Sequence, residues 1–235
     1  MIFQSFSLAL GQLGDRRFRR VLLLGLTLTI LLLVAASAGF VWLIGVLVGD
    51  DASLPFIGEV TWLSDLASWT SILLMMVLSV FLMVPVASAI TSMFLDEVAQ
   101  AVEDKHYPGL PKVPGVPFGD ALRDTVNFLG VLIGANILAL LLYVIFAPMA
   151  PFIFWALNGF LLGREYFMLA AMRRIGRTRA KQLRAKYSST IWLAGTLMAI
   201  PLSIPLVNLV IPILGAATFT HIFHQVQARA EGVAN

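Results

Sequence analysis

The sequence predicts an all-α integral membrane protein with two long transmembrane helices, two proline-broken, membrane-inserted helical hairpins and an N-terminal amphipathic helix. Hydrophobic residues make up 59% of the 235 and charged residues 12%, about half the charge of an average soluble domain. Four long segments carry no charged residue, and prolines interrupt the two longest of them near their middles. We expect residues 1–235 to form a single membrane domain.

The first segment, residues 1–13, is predicted to be an interfacial amphipathic helix. Phe3, Phe6, Leu10 and Leu13 recur at spacings of three or four, which places them on one face of a helix that can lie in the membrane surface. The segment lacks the basic start and the continuous apolar run of a cleavable signal peptide.

Two uncharged segments, 21–48 and 66–95, are predicted to be transmembrane helices. Each is longer than the ~20 apolar residues that a helix needs to cross a bilayer. The segment between them, 49–65, carries four acidic residues and no Lys or Arg. Residues 96–124 are polar, and their Pro- and Gly-rich centre predicts a loop.

Residues 125–163 and 187–220 are predicted to be helical hairpins within the membrane. The first contains 39 uncharged residues, too many for one crossing and few for two, and Pro148 and Pro151 disfavour helix near its middle. Pro201, Pro205 and Pro212 interrupt the second. Broken helices at membrane depth need shielding by other helices, by neighbouring subunits or around a watery cavity, so we expect a homo-oligomer. Prolines that only shape a packed bundle are the alternative.

The distribution of basic residues predicts the topology. Residues 164–186 hold eight of the 16 Lys and Arg residues, and another cluster precedes the first long helix. If both hairpins return to the side that they left, every basic cluster lies in the cytoplasm, as the positive-inside rule favours. We therefore expect cytoplasmic termini and a basic cytoplasmic segment at 164–186, in contact with anionic lipid and not with nucleic acid.

Several classes of site are not supported by the sequence. There is no cysteine, and no Walker loop, HExxH or nucleophile-elbow motif is present, so we expect neither an enzyme nor a cofactor. His221 and His224 share a helical face, but no carboxylate lies close to them in the sequence. A metal site is therefore not expected, and we predict that these histidines lie at the membrane interface.

Five polar residues are candidates for lining or gating a path across the membrane. Asn136, Asn158 and Asn208 are polar side chains inside the uncharged hairpins, where they either line a path or form hydrogen bonds between helices. Arg164 and Glu165 close the first hairpin, and they either gate an anion path or form structural ion pairs.

Two motifs carry a resemblance to a known family. Residues 158–167 (NGFLLGREYF) and 200–217 (IPLSIPLVNLVIPILGAA) resemble the CysZ sulfate-permease family, which also includes etoposide-induced-protein-like membrane proteins. The resemblance implies two spanning helices with pairs of half-inserted helices. It also implies a bacterial inner-membrane protein that admits sulfate for cysteine synthesis without an ATP-binding subunit.

The resemblance also implies a position for an anion site. Members of the family carry a Gly-hydrophobic-Arg stretch before the first long helix that is associated with sulfate binding. The nearest match is 14–20, although Asp15 departs from the pattern. The candidate residues for binding sulfate or a related oxyanion are Arg16, Arg17, Arg19 and Arg20. A membrane anchor that contacts lipid headgroups is the alternative for these arginines, and a non-transporting scaffold or a less selective anion channel is the alternative for the protein.

Overall fold

The computed structural model describes residues 1–48, 53–54, 58–59, 94–113 and 118–232. The chain divides into two compact units, of which one comprises Met1–Leu22 with Ser92–Asn235 and the other comprises Leu23–Thr91. The described residues of the second unit are the rest of a long helix and an antiparallel pair of two-residue strands, β1 (Ser53–Leu54) and β2 (Gly58–Glu59).

Helices make up most of the described chain. In chain order they are α1 (Ile2–Gly11), α2 (Arg16–Val48), α3 (Leu95–His106), α4 (Phe118–Ile145), α5 (Ala150–Lys186), α6 (Ser188–Ala199), α7 (Pro205–Asn208) and α8 (Ile211–Ala230). The 3-10 turns Ala147–Met149 and Ile200–Ser203 separate α4 from α5 and α6 from α7. Each turn contains one of the prolines that interrupt the uncharged segments.

Two helical stretches in the described part of the chain are long and apolar enough to cross a membrane. They are Arg16–Ala36, with a mean hydropathy of 2.1, and Val126–Ile145, with a mean hydropathy of 2.5. The first overlaps the predicted span 21–48. The second is the first arm of the predicted hairpin and has the length of a full crossing, which is longer than the shortened helix that we expected. Most of the predicted span 66–95 lies outside the described residues.

The core of the first unit forms where α5 packs against α6 and α8. A Cβ atom added to Gly195 of α6 would collide with the carbonyl oxygen of Gly159 in α5, and one added to Gly163 would lie 2.6 Å from the carbonyl oxygen of Ile191. Small residues at these points allow the two backbones to approach closely, as in many helix pairs of membrane proteins.

Helix α5 contains one non-helical residue, Gly176, with φ 72° and ψ 167°. Residues with a side chain rarely adopt this conformation, so a glycine allows the helix to break here. Residues before the break are part of the core, and the buried ones include Tyr166, Phe167 and Met168. The predicted segment 164–186 is therefore helical, and it combines a part that forms the core with a basic part.

Helix α1 confirms the helical periodicity of the N-terminal segment. It contacts α8 through a face that includes Ser5 and Ala9, which are fully buried. Phe3 is 77% exposed and Leu10 is 43% exposed. Part of the predicted apolar face is therefore available to a membrane surface.

Candidate functional site

Asp15 forms the N-terminal cap of α2. Its carboxylate accepts a hydrogen bond from the backbone N–H of Arg17 at 2.8 Å and another from Nε2 of Gln12 at 3.3 Å. An aspartate directly before a helix satisfies one of the backbone donors that the first turn leaves free. The residue that departs from the family's Gly-hydrophobic-Arg pattern therefore has a structural role.

The four arginines at the start of α2 have different surroundings. Arg17 donates a hydrogen bond to Oδ2 of Asp104 at 2.6 Å, and this bond lowers the pKa of Asp104. Arg16, Arg19 and Arg20 are exposed and form no ion pair with any described residue. Their i, i+3, i+4 spacing places them on one face of the helix. Three of the four candidate anion-binding arginines therefore share one exposed helical face, whereas Arg17 pairs with Asp104 of α3.

No hydrogen bond joins any two of the three candidate asparagines in the described chain. The side-chain amide of Asn136 donates to the carbonyl oxygen of Leu132 at 2.8 Å, and that of Asn158 donates to Phe154 at 2.9 Å. Asn136 is exposed within a candidate span. Because polar groups are costly in hydrocarbon, this position favours a watery path or a contact with another helix.

Arg164 and Glu165 do not pair with each other. The guanidinium carbon of Arg164 lies 5.8 Å from the ring centroid of Phe128, within the range of a cation–π contact. Burial raises the pKa of Glu165, and this carboxyl group has no ion-pair partner among the described residues. The structural ion pairs that we considered for these two residues are therefore not observed in the described part of the chain.

A buried group of charged residues, which we call the Glu103 cluster, joins three helices. The carboxylate of Glu103 in α3 is 1% exposed and accepts hydrogen bonds from Arg174 at 2.9 and 2.6 Å. Nε2 of His224 lies 3.1 Å from the same carboxylate, and a guanidinium nitrogen of Arg173 lies 3.6 Å from it. Burial acts to raise the pKa of Glu103, but the bonds to His224 and Arg174 and the charge of Arg173 lower it to about 2.

Two further histidines lie beside the Glu103 cluster. His221 is fully buried among protein side chains, and its predicted position at the membrane interface stays a prediction. Its Nδ1 is 2.9 Å from the hydroxyl group of Tyr107, and its ring centroid is 4.8 Å from that of His106. Burial, together with the charges of the neighbouring histidines, lowers the pKa of His221 to about 4. No group of three or more His, Asp or Glu residues in the described chain is arranged to hold a metal ion.

The Glu103 cluster was not predicted from the sequence, because residues 96–124 were described only as a polar segment with a loop at its centre. The apolar residues Leu95, Val98, Ala99 and Val102 have the spacing of a helical face, and all of them are buried. Glu103 lies on that face, four residues after Ala99. This periodicity is the signal that could have predicted a buried carboxylate.

The comparison with protein families identifies the chain. The family described as "Sulfate transporter CysZ/Etoposide-induced protein 2.4" matches residues 5–212. The chain belongs to this family. The matched range contains the arginines of α2 and the candidate asparagines, and membership of the CysZ family confirms the resemblance found in the two motifs. A search of curated proteins finds no significant match. At the level of the family, this is a membrane protein with a transporter-like role.

Proposed function

We propose that this protein admits sulfate across a bacterial inner membrane and supplies it for cysteine synthesis. Membership of the CysZ family supports this function. The observation that carries it for this chain is the exposed face of Arg16, Arg19 and Arg20 at the start of a candidate span. Guanidinium groups offer several donors in a fixed plane, which suits a tetrahedral oxyanion.

The proposed anion site lies at the first turns of α2. A helix N-terminus favours a negative charge, but Asp15 adds a carboxylate to the first turn and binds the N–H of Arg17. Sulfate is therefore better placed near Arg19 and Arg20, one turn further into the helix. Their donors would replace part of the water that surrounds the dianion.

The proposed path uses the two helical hairpins. One consists of α4, the turn Ala147–Met149 and the first part of α5, and the other consists of α6, the turn Ile200–Ser203, α7 and the first part of α8. The candidate span of α4 is only 6% buried, and its exposed Asn136 would be costly to place against lipid. A homo-oligomer would cover this surface, and Asn136, Asn158, Arg164, Glu165 and Asn208 are the residues that we propose line or gate the path.

The first prediction concerns sulfate uptake into proteoliposomes. We expect the double variant Arg19→Ala, Arg20→Ala to take up radiolabelled sulfate at least about tenfold more slowly than wild type, since a hydrogen bond between charged groups contributes about 1.5–3 kcal/mol. The matched control is Arg179→Ala, Arg229→Ala, which removes two exposed positive charges elsewhere and should retain uptake.

The other outcomes separate the alternative functions. Wild-type uptake no greater than leakage into empty liposomes would contradict the permease and favour a non-transporting membrane scaffold or assembly protein. Uptake that chloride and sulfate inhibit equally would identify an anion channel of broader selectivity.

A further inference from the structure

A cavity with a mixed polar and apolar lining lies where α5 meets the start of α6. Its volume is about 330 Å³, and the side chains that line it include Arg164, Arg184, Ser188 and Ser189. Arg164 has no ion pair in the described part of the chain. The lining thus includes two guanidinium groups and two hydroxyl groups, which are donors that bind the oxygen atoms of a phosphate or sulfate group.

An apolar groove adjoins this cavity. It has a volume of about 600 Å³, and Phe160 and Trp192 line both the cavity and the groove. From Phe160 the groove follows α5 to Ile153, opposite Leu142 of α4. Seven residues of helix correspond to about 10 Å, so the groove is long enough for part of an acyl chain.

The direction of the groove suggests what binds there. It runs from the arginines towards the turn Ala147–Met149, which in the proposed membrane-inserted hairpin is the end inside the membrane. A phospholipid has the same polarity, with its phosphate at the membrane surface and its acyl chains below. A free sulfate ion would use the arginines and serines of the cavity but would gain nothing from the groove.

We propose that this cavity and groove bind one anionic phospholipid, with its phosphate between Arg164 and Arg184 and one acyl chain against Phe160 and Trp192. Basic pockets at the cytoplasmic ends of membrane helices bind anionic headgroups. Arg164 then lines the edge of the proposed path and also binds the lipid phosphate. The inference rests on the proposed insertion of the hairpin, but it does not require that the protein transports sulfate.

The test is native mass spectrometry of the full-length protein in detergent with dioleoyl phosphatidylglycerol or dioleoyl phosphatidylcholine. We expect wild type to prefer phosphatidylglycerol, and the double variant Arg164→Ala, Arg184→Ala to lose about 25-fold in relative affinity, from about fivefold for each arginine. Arg164→Lys, Arg184→Lys keeps both charges and should retain most of the preference. It also reports whether loss of folding explains the alanine result. Arg179→Ala, Arg229→Ala is the control for net charge.

Three outcomes would overturn the assignment. In the first, the alanine variant keeps the wild-type preference. In the second, the control variant loses as much as the alanine variant. In the third, glycerophosphoglycerol or inorganic sulfate displaces phosphatidylglycerol at equal concentration, which would show that the groove contributes nothing. Because lipid binding is measured in detergent, this result can be interpreted whether or not proteoliposomes take up sulfate.

Discussion

Glu103 is the residue on which the ionic contacts between α3, α5 and α8 depend. We expect Glu103→Gln to lower the free energy of unfolding by about 3–5 kcal/mol, because it leaves Arg174 buried without a counter-charge and leaves Arg173 with only the carboxylate of Asp96, 3.7 Å away. The measurement is thermal unfolding in detergent followed by circular dichroism. The matched control is Asp104→Asn in the same helix, which removes an exposed ion pair with Arg17 and should cost about 1 kcal/mol or less.

The pH dependence of the same variant gives a second readout. The pKa of Glu103 is about 2 in the folded protein, against an ordinary value of 4.5. Its contribution to stability is therefore fully present above pH 4.5 and is lost as the pH falls towards 2. Glu103→Gln should lack this part of the acid dependence. Equal losses for Glu103→Gln and Asp104→Asn at neutral pH would contradict the role of the cluster.

At the scale of the elements, the close approach of α5 and α6 depends on glycine. We expect Gly195→Ala to lower the free energy of unfolding by about 1–3 kcal/mol. The added methyl group would collide with backbone atoms of Gly159, so the two helices would have to move apart. Thermal unfolding in detergent measures this effect.

Gly130 offers the matched control for that substitution. It lies within a helix, and a Cβ atom added there meets nothing within 4 Å. Gly130→Ala should be neutral or slightly stabilising, because alanine favours helix by up to about 1 kcal/mol over glycine. If the two variants lose equal stability, the cost comes from a general effect of the substitution and not from the contact between α5 and α6.

At the scale of the whole molecule, the hairpins require that both termini lie on the same side of the membrane. The chain has no cysteine, so single cysteines can be introduced without other changes. In spheroplasts, we expect Gln4→Cys and Ala230→Cys to react with a membrane-impermeant maleimide only after permeabilisation. Ala52→Cys, in the acidic segment that we predict to lie outside, should react at once and is the control. Labelling of only one terminus in intact spheroplasts would mean that a hairpin crosses the membrane.

Most of the helical architecture was predictable, whereas the candidate site was predictable only in part. The helix Arg16–Ala36, which is long and apolar enough to cross a membrane, lies at the predicted place, since the length and charge of a segment are local properties. The helical ends beside Pro148 and Pro201 follow from the missing N–H and fixed φ of proline. The role of Asp15 as a helix cap was also predictable, because aspartate is favoured directly before the first residue of a helix. From the sequence, Asp15 was described only as a departure from the family pattern.

The sequence by itself determined that this is a helical membrane protein of the CysZ family, because apolar run length, proline positions and motif spacing are all properties of neighbouring residues. Only the tertiary structure decided that Glu103 meets Arg174, 71 positions away, and His224, 121 positions away. Such pairs form because three helices pack around one carboxylate. No local sequence pattern predicts which charged residues from distant parts of the chain will be buried beside it. The same packing pairs Arg17 with Asp104, whereas Arg16, Arg19 and Arg20 remain exposed.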